Sequence, residues 1–433
     1  MISNLNPFIK IIKNYYNKKN SNISKNHNYF LNTFDETLGF IKLLELQKKQ
    51  ISFMDKYFIL LKNLFATSKV SDLVLINEEN IKNYDTIILT HGNYSHFSKK
   101  GDYFDPSFNE NSKQFKKILW FVISTDHKMP INIGDNIVLL INKNANLLNF
   151  NKFIKLVFKK MLIFFFKKKS PQFLHTEQFS DIVWKNINKL KKIQNIKKIF
   201  SPYEAQPHQN FLNYRLNLKN NKIKTIGYVH STQAFPIHLF KRDGAPKKLF
   251  VHGKDQKYHL IKFLGWKKSD IQLIPSLKIR NKNKKNYQNL IYLPYIIEDF
   301  NFYLDNIRFL LTTHKNKFSH ALKVKLHPYR KNKKTHLKLK KEIELFIAKN
   351  KFNKKLSFCN PIVLGTSSVV LEILENNLKP YHIYKNFILE SYLNGFWPSI
   401  RGVPILTNKI CQYKLNKNNN CINIDGKKRT IFK

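Results

Sequence analysis

The amino-acid sequence predicts an α/β protein built of two doubly wound parallel sheets, one in each half of the chain. Short apolar runs rich in β-branched residues recur along the chain, and from about residue 196 onward they alternate with stretches of helical apolar spacing. Polar loops containing glycine or proline follow many of these runs. A chain of 433 residues is too long for one ordinary core and suits two domains.

Residues 1–278 are assigned to an N-terminal domain whose strands and helices alternate in its second part. Helices are expected over 40–46, 58–65, 210–218 and 255–264, and strands over 71–75, 84–90, 135–141, 196–200, 224–228, 248–251 and 271–274. Residues 113–123 are expected to run from helix into strand. Residues 279–288 are charged and lack apolar periodicity, so we interpret them as the interdomain linker.

Residues 289–433 are assigned to a C-terminal domain that repeats the alternation and ends in a basic tail. Its strands are expected over 290–294, 321–326, 362–365 and 381–383, and its helices over 298–312, 337–350 and 368–376. Residues 414–433 carry little pattern. No internal repeat of fixed period is present.

The charge balance is strongly basic. The chain has 76 Lys and Arg against 28 Asp and Glu, a formal charge of +48. Such a balance attracts polyanions such as nucleic acid, anionic lipid or phosphorylated sugars. The lysines are dispersed and accompany many Asn, Ile and Phe residues, which A/T-rich codon usage would also produce. We therefore expect no specific nucleic-acid partner, and polyanion binding stays as an alternative.

Cysteine usage and the first residues point to a cytoplasmic protein. The three cysteines, Cys359, Cys411 and Cys421, form no CxxC pair, so neither a disulfide framework nor a zinc knuckle is expected. The N-terminus lacks the pattern of a signal peptide, and no apolar run reaches the ~20 residues of a membrane span.

Residues 153–169 combine lysines with bulky apolar residues. On a helix Phe158, Met161, Leu162 and Phe165 share one face, and such a basic amphipathic helix can lie on anionic lipid at the inner face of the plasma membrane. The alternative is a surface helix that packs this face on its own domain.

The most specific pattern lies in the C-terminal half. His327-Pro328 directly follows the strand expected over 321–326, where ligands bind in open parallel sheets. A second strand runs into a short polar turn and then a helix, and the turn comprises Gly365, Thr366, Ser367 and Ser368. Backbone N–H groups and hydroxyls at such a turn favour a phosphate. Glu372, one helical turn later, could accept hydrogen bonds from a ribose; a solvated helix face is the alternative.

A second group of polar residues follows two strands of the N-terminal half. The stretch 201–209 holds Tyr203, Glu204, Gln206 and His208, and the stretch 227–236 holds His230, Ser231 and Thr232. Both loops could line one cleft, with Glu204 as a general base toward a sugar hydroxyl or merely as a loop residue. His252 and Gly253 end a later strand and are expected near the interdomain crevice.

Several well-known templates are absent from the sequence. There is no P-loop, no complete GxGxxG, no HExxH, no GxSxG and no DxD. We therefore expect no metal site, no cofactor and metal-independent chemistry.

The C-terminal motifs resemble a known family. KLHP at 325–328 followed by GTSSVVLEILENNLKP at 365–380 is similar to the donor half of GT-B glycosyltransferases, namely bacterial sialyltransferases, Kdo transferases and CDP-glycerol glycerophosphotransferases. The resemblance implies two Rossmann-like domains facing one crevice and a cytidine-activated donor. It implies that His327, Ser367 and Ser368 contact the donor phosphate.

The N-terminal motifs are similar to a group of surface-carbohydrate biosynthesis proteins. The matching stretches are YEAQPHQ at 203–209 and GYVHST at 227–232, although His208 and Gln209 stand where that group has an aromatic and an acidic residue. Together the resemblances imply an inverting transferase that moves a sugar or sugar acid from a nucleotide sugar, of the CMP type, to a surface glycan or lipid-linked acceptor. Capsule or lipopolysaccharide synthesis is the expected setting. A GT-B-fold nucleotide-sugar epimerase and a non-catalytic scaffold remain as alternatives.

Overall fold

The computed structural model describes twelve stretches of the chain. They are residues 73–79, 84–142, 174–193, 195–218, 222–230, 233–277, 284–297, 299–327, 333–350, 352–405, 407–416 and 431–432, together with Ile154 and Phe158. The helices expected over 40–46 and 58–65, linker residues 279–283 and most of the tail 414–433 lie outside these stretches.

The first sheet has eight strands, seven of them parallel. They are β1 (Leu73–Ile76), β2 (Thr86–Gly92), β5 (Ile118–Ser124), β6 (Ile137–Asn142), β7 (Lys198–Pro202), β8 (Lys224–Tyr228), β9 (Lys248–Val251) and β10 (Ile271–Leu273). Their order is β1-β6-β5-β2-β7-β8-β9-β10, with β1 antiparallel to β6. A small hairpin, β3 (Phe104–Asp105) and β4 (Glu110–Asn111), stands apart. The central strands are buried on both faces, which explains their continuous apolar runs.

This strand order is doubly wound. From β2 the chain moves outward through β5 and β6, and it then returns to the other side of β2 with β7, β8 and β9. Adjacent crossovers on the two sides of β2 run in opposite directions, so a crevice opens between the carboxyl ends of β2 and β7. The switch point of the first sheet is therefore lined by the residues that end β2 and follow β7.

The second sheet has six strands with its own switch point. They are β11 (Leu290–Tyr292), β12 (Lys323–Lys325), β13 (Ile362–Leu364), β14 (Tyr381–Ile383), β15 (Ile400–Ile405) and β16 (Thr407–Leu415). The order is β12-β11-β13-β14-β16-β15, in which the first four strands are parallel and β16 is antiparallel to both neighbours. The direction reverses at β11, so the crevice lies between the ends of β11 and β13. The predicted fold class, an α/β protein with two doubly wound Rossmann-like sheets, is confirmed.

Helices cover the sheets. Their bounds are α1 (Leu174–Ile193), α2 (Pro207–Leu218), α3 (Lys254–Lys262), α4 (Phe300–Thr313), α5 (Lys334–Lys349), α6 (Val369–Glu375) and α7 (Phe387–Glu390). Helix α1 was not predicted, although Val183, Ile187 and Leu190 repeat at helical spacing and pack with α2 on the first sheet. Helices α4 and α5 pack on the second sheet around Ile307, Leu311 and Ile343 in the same manner.

Two further predictions differ from the structure. The helix expected within 113–123 is only a 3-10 turn, Ser112–Gln114, before β5. The hairpin of β15 and β16 was not predicted, because polar and basic residues interrupt its apolar ones and the pattern resembles a loop.

The end of the chain packs on the first sheet. Phe432 is buried among Phe108, Trp120 and Phe200, at ring-centroid distances of 5.2, 6.1 and 5.3 Å. Phe432 was expected in the tail of the C-terminal domain. Its ring packs instead against apolar side chains of the first sheet, a contact that no local pattern reveals.

Candidate functional site

The loop after β7 is shaped to present Glu204 at the first switch point. The side chain of the buried Gln209 accepts the backbone N–H groups of Glu204 and Gln206, each at 3.1 Å, and donates to the Pro202 carbonyl at 2.7 Å. Ala205, between them, has φ +55°, a left-handed conformation that costs a non-glycine residue about 1–2 kcal/mol. Strain of this kind persists where surrounding bonds over-determine it, often at functional sites.

Glu204 is paired with His230, which follows β8. The Glu204 Oε1 atom lies 3.2 Å from His230 Nε2, and the carboxylate side chain is 44% exposed against 14% for the imidazole. Burial raises the pKa of the Glu204 carboxyl, but His230, His238 and a hydrogen bond from Gln206 outweigh it and lower the pKa to about 2. Glu204 is therefore ionised at neutral pH.

Further histidines surround this carboxylate. The negative charge of Glu204 acts on His91, His208 and His238, and in each case burial is the larger effect and lowers the imidazole pKa, that of His238 to about 4. His91 Nε2 lies 3.3 Å from His208 Nε2 across the switch point, from the end of β2 to the start of α2. Four imidazoles and one ionised carboxylate thus share the carboxyl edge of the first sheet.

Sequence reasoning missed three residues of this region, His91, His238 and Asp105. His91 directly follows the predicted strand 84–90 and precedes a glycine, a signal that is typical of a strand-end site. Asp105 is fully buried, and its Oδ1 accepts the N–H groups of Ser107 and Phe108 at 2.7 and 2.9 Å. Burial raises the pKa of the Asp105 carboxyl, and His230 is among the groups that oppose this. Only the tertiary fold brings Asp105 here.

The other predicted residues of the first half each have contacts within the protein. Tyr203 is 1% exposed and its hydroxyl donates to Asn210 Oδ1 at 2.8 Å. His252 stacks on Tyr228 at 5.3 Å between ring centroids, and Gly253 precedes helix α3 as its N-cap residue. Gln206 donates to Glu204 Oε2 at 3.4 Å. Ser231 and Thr232 lie outside the described residues.

The turn after β13 occupies the second switch point. Gly365 has φ +58°, and a Cβ there would stand 2.5 Å from the Tyr303 hydroxyl and 3.0 Å from Pro294 Cβ. Pro294 follows β11, so the turn lies directly beside the end of that neighbouring strand. Only glycine fits both the dihedral angle and the space.

The three hydroxyl residues of the turn are half-buried and differ in role. Ser367 Oγ accepts the backbone N–H of Val369 at 3.3 Å. Ser368, the N-cap residue of α6, makes no side-chain cap hydrogen bond. Thr366 lies between Gly365 and Ser367, and His382 from β14 contacts the Gly365 carbonyl through Nε2 at 2.8 Å.

His327 and Glu372, the other predicted donor-site residues, have partners of their own, and β11 lies between the strand before His327 and β13. His327 follows β12, and its ring meets Tyr295 edge to face at 5.1 Å between centroids. Glu372 on α6 accepts the Tyr287 hydroxyl at 3.3 Å. Tyr287 belongs to the predicted linker, so Glu372 is tied to the interdomain connection. Pro328 lies outside the described residues.

One segment, residues 391–399, contacts the loops of both sheets, and we call it the bridge segment. Tyr392 donates its hydroxyl to the Ser367 carbonyl at 3.0 Å. Asn394 and Trp397 both donate to the carbonyl of Ala234, at 2.8 and 3.0 Å, four residues after His230. The two candidate half-sites are therefore joined through one buried stretch of chain.

The described residues contain neither a metal-binding group nor a membrane-spanning helix. No group of three or more His, Cys, Asp or Glu side chains within those stretches is arranged to hold a metal ion. None of the helices described combines the length and apolar character of a membrane span. Of residues 153–169 only Ile154 and Phe158 are described, and both are exposed, by 42% and 70%.

Comparison with known proteins gives weak likeness at most, seen with a solved structure. No family model matches the chain, and no curated protein matches it. The crystal structure of a glycosyltransferase from Rickettsia africae ESF-5 is 14% identical and covers 72% of this chain and 87% of its own, with a TM-score of 0.34. A TM-score of that size is too low to establish a shared fold.

Proposed function

We propose that this protein is a glycosyltransferase that uses a nucleotide-activated donor. The observation that carries the proposal is the position of the two motifs, each at the switch point of its own doubly wound sheet, with the bridge segment bonded to both. Switch points are where open α/β sheets bind ligands. Two such points in one chain provide separate sites for a donor and an acceptor.

The donor is proposed to bind at the second sheet. The turn after β13 places the half-buried hydroxyls of Thr366, Ser367 and Ser368 at the carboxyl end of that strand, where open α/β sheets bind ligands. The Ser368 hydroxyl is not used as a helix cap and His327 is half-buried, and we propose that both contact the leaving phosphate. Groups fixed in advance around developing charge are among the largest contributors to catalysis. The resemblance of these motifs favours a cytidine-type donor.

The acceptor is proposed to bind at the first sheet, where Glu204 and His230 act as a pair. A carboxylate with a pKa of about 2 is a weak proton acceptor, so Glu204 is better suited to orient His230 than to act as the base. Nε2 of His230 contacts the carboxylate, and Nδ1 is buried without a hydrogen-bond partner among the described residues, a partner that the bound acceptor would supply. We propose that Nδ1 takes the proton of the acceptor hydroxyl and that Glu204 stabilises the resulting imidazolium.

The transfer is proposed to be inverting and independent of metal. In that scheme the deprotonated hydroxyl attacks the anomeric carbon, the bond to the donor phosphate breaks, and the nucleotide leaves with that electron pair. The acceptor is proposed to be a surface glycan or lipid-linked saccharide. The basic segment 153–169 would then bring the enzyme to an anionic membrane.

The test is ligand-induced stabilisation by CMP, UMP, GMP and AMP at one fixed salt concentration. These ligands carry equal charge, so differences among them report recognition of the base rather than the +48 charge of the chain. A ligand at ~100 times its dissociation constant adds about 2.7 kcal/mol of stability. We expect a shift with CMP that Ser368→Ala reduces.

The matched control is Ser269→Ala, which alters an exposed serine of the first domain and should keep the shift. Equal shifts with all four nucleotides would contradict a specific donor site and favour general polyanion binding.

A further inference from the structure

The bridge segment is fixed at both of its ends. At the start, Tyr413 of β16 receives the Tyr392 backbone N–H at 3.2 Å through its hydroxyl, which also lies 3.2 Å from Ser391 Oγ. At the far end, the buried Asp255 of α3 accepts the backbone N–H and the hydroxyl of Ser399, at 2.9 and 2.7 Å. One end is thus held by the second sheet and the other by a helix of the first domain.

Between these ends, two aromatic rings face each other. Tyr392 is fully buried and Trp397 is 2% exposed, and their ring centroids lie 5.5 Å apart. Phe396, the neighbour of Trp397, packs against Phe235 and Phe263 of the first domain, at 5.3 and 4.9 Å. Close-packed interiors transmit displacement rather than absorb it.

Each ring carries one polar atom that reaches a motif loop. The Tyr392 hydroxyl bonds the carbonyl of Ser367 in the second-sheet turn, and the Trp397 indole N–H bonds the carbonyl of Ala234 in the loop after His230. The Ala234 carbonyl also accepts Asn394, so both of its lone pairs are used. A shift of either loop must therefore move a ring that packs on the other ring.

We propose that Tyr392 and Trp397 are positioning residues that couple the turn 365–368 to the described residues of the loop 229–235, namely 229–230 and 233–235, so that order in one is transmitted to the other. The functional meaning of this coupling rests on the proposed function, in which the two loops bind donor and acceptor. The coupling itself is a property of the unliganded protein and is testable without any substrate.

The test is amide hydrogen exchange of the full chain, comparing wild type with Tyr392→Phe and Trp397→Phe. Each substitution removes one hydrogen-bonding atom and keeps an aromatic ring. Protected amides are available on both sides: Gly365 N–H bonds the Ile383 carbonyl, and Val229 N–H bonds the Phe250 carbonyl. We expect each variant to speed exchange about five-fold in both loops, equivalent to ~1 kcal/mol for one lost hydrogen bond.

The matched control is Trp266→Phe. Trp266 is also 2% exposed and donates its indole N–H to a backbone carbonyl, that of Leu239, but within the first domain. We expect this control to leave exchange in the peptide covering 365–369 unchanged after correction for global stability by urea unfolding. The coupling is overturned if Tyr392→Phe alters only the turn 365–368 and Trp397→Phe only the loop 229–235. Failure of nucleotide binding would contradict the proposed function and leave this result intact.

Discussion

The Nε2 atoms of His91 and His208 lie 3.3 Å apart across the first switch point, with their rings edge to face. At that distance one nitrogen donates a proton and the other accepts it, so the two rings cannot both carry a proton there. The pair is therefore a coupled unit beside the Glu204 carboxylate.

This coupling predicts a pKa change on substitution. Burial is the first cause that lowers the pKa of His208, and the neighbouring His91 lowers it further. We expect His91→Gln to raise the His208 pKa toward its ordinary value, measured from the pH dependence of imidazole NMR shifts. A matched substitution of a distant histidine, His314→Gln, should leave the His208 titration unchanged; an unmoved His208 pKa in His91→Gln would contradict the coupling.

Buried histidines predict a loss of stability in acid. Burial lowers the pKa of His259 to about 3 and of His382 to about 4. Below the unfolded-state pKa near 6.5 the unfolded chain takes up these protons and the folded chain does not, so stability falls as pH falls from about 6.5 toward 4. Each such histidine contributes a slope of up to about 1.4 kcal/mol per pH unit. His259→Gln should reduce that slope in urea unfolding between pH 7 and 5. An identical slope would contradict a lowered pKa of His259 in the folded protein.

Alanine substitutions at Gly365 and Gly265 should separate the cost of a left-handed backbone from the cost of a steric clash. Gly365 and Gly265 have φ +58° and +75°, but a Cβ at Gly265 has no neighbour closer than 3.8 Å. Gly265→Ala should therefore cost about 1–2 kcal/mol for the left-handed backbone alone. Gly365→Ala adds a clash with Tyr303 and Pro294, worth about 1–3 kcal/mol more. Equal losses in chemical unfolding of the two variants would show that the turn after β13 has more room than described.

Removing the hydroxyl of Ser399, which bonds the buried Asp255, should destabilise the protein more than removing the hydroxyl of the exposed Ser269. Ser399→Ala leaves Asp255 Oδ1 without its hydroxyl donor in a buried site, at a cost of about 1–3 kcal/mol. Ser269→Ala removes a similar serine–aspartate hydrogen bond, to Asp270, at the surface, where the change should stay within about 0.5 kcal/mol. Urea midpoints of the two variants provide the comparison. A smaller effect at Ser399 than at Ser269 would contradict a tight interface.

The Glu204–His230 pair predicts unequal losses of turnover. His230→Gln removes the proposed proton acceptor and should lower kcat about 10²–10⁴-fold. Glu204→Gln keeps a hydrogen-bonding oxygen but loses the charge that stabilises the imidazolium, so we expect a smaller loss. The measurement is nucleotide release from the donor selected by the binding panel. A larger loss in Glu204→Gln than in His230→Gln would restore Glu204 as the base.

Much of the fold could be predicted because local pattern and burial agree. Strands β8, β9 and β14 occur at the predicted residues, since they are short apolar runs closed by loop residues. The turn at Gly365 and the loop at Glu204 were also identified, because both directly follow such strands. The hairpin of β15 and β16 was not predicted. Its mixed polar and apolar residues give no local strand pattern, and β16 forms a strand by pairing with β14.

Local signals were enough to predict the α/β alternation, the Gly365 turn and the Glu204 loop, because strand runs, glycine and strand-end polar residues can be recognised in short windows. The three-dimensional fold was needed to show that His91 and Asp105 join Glu204, that Phe432 packs on the first sheet, and that one segment bonds both loops. These contacts join residues far apart in the chain: 117 positions separate His91 from His208, and 163 separate Ala234 from Trp397. Partners at such distances are chosen by sheet order and shared burial, which no window of sequence contains.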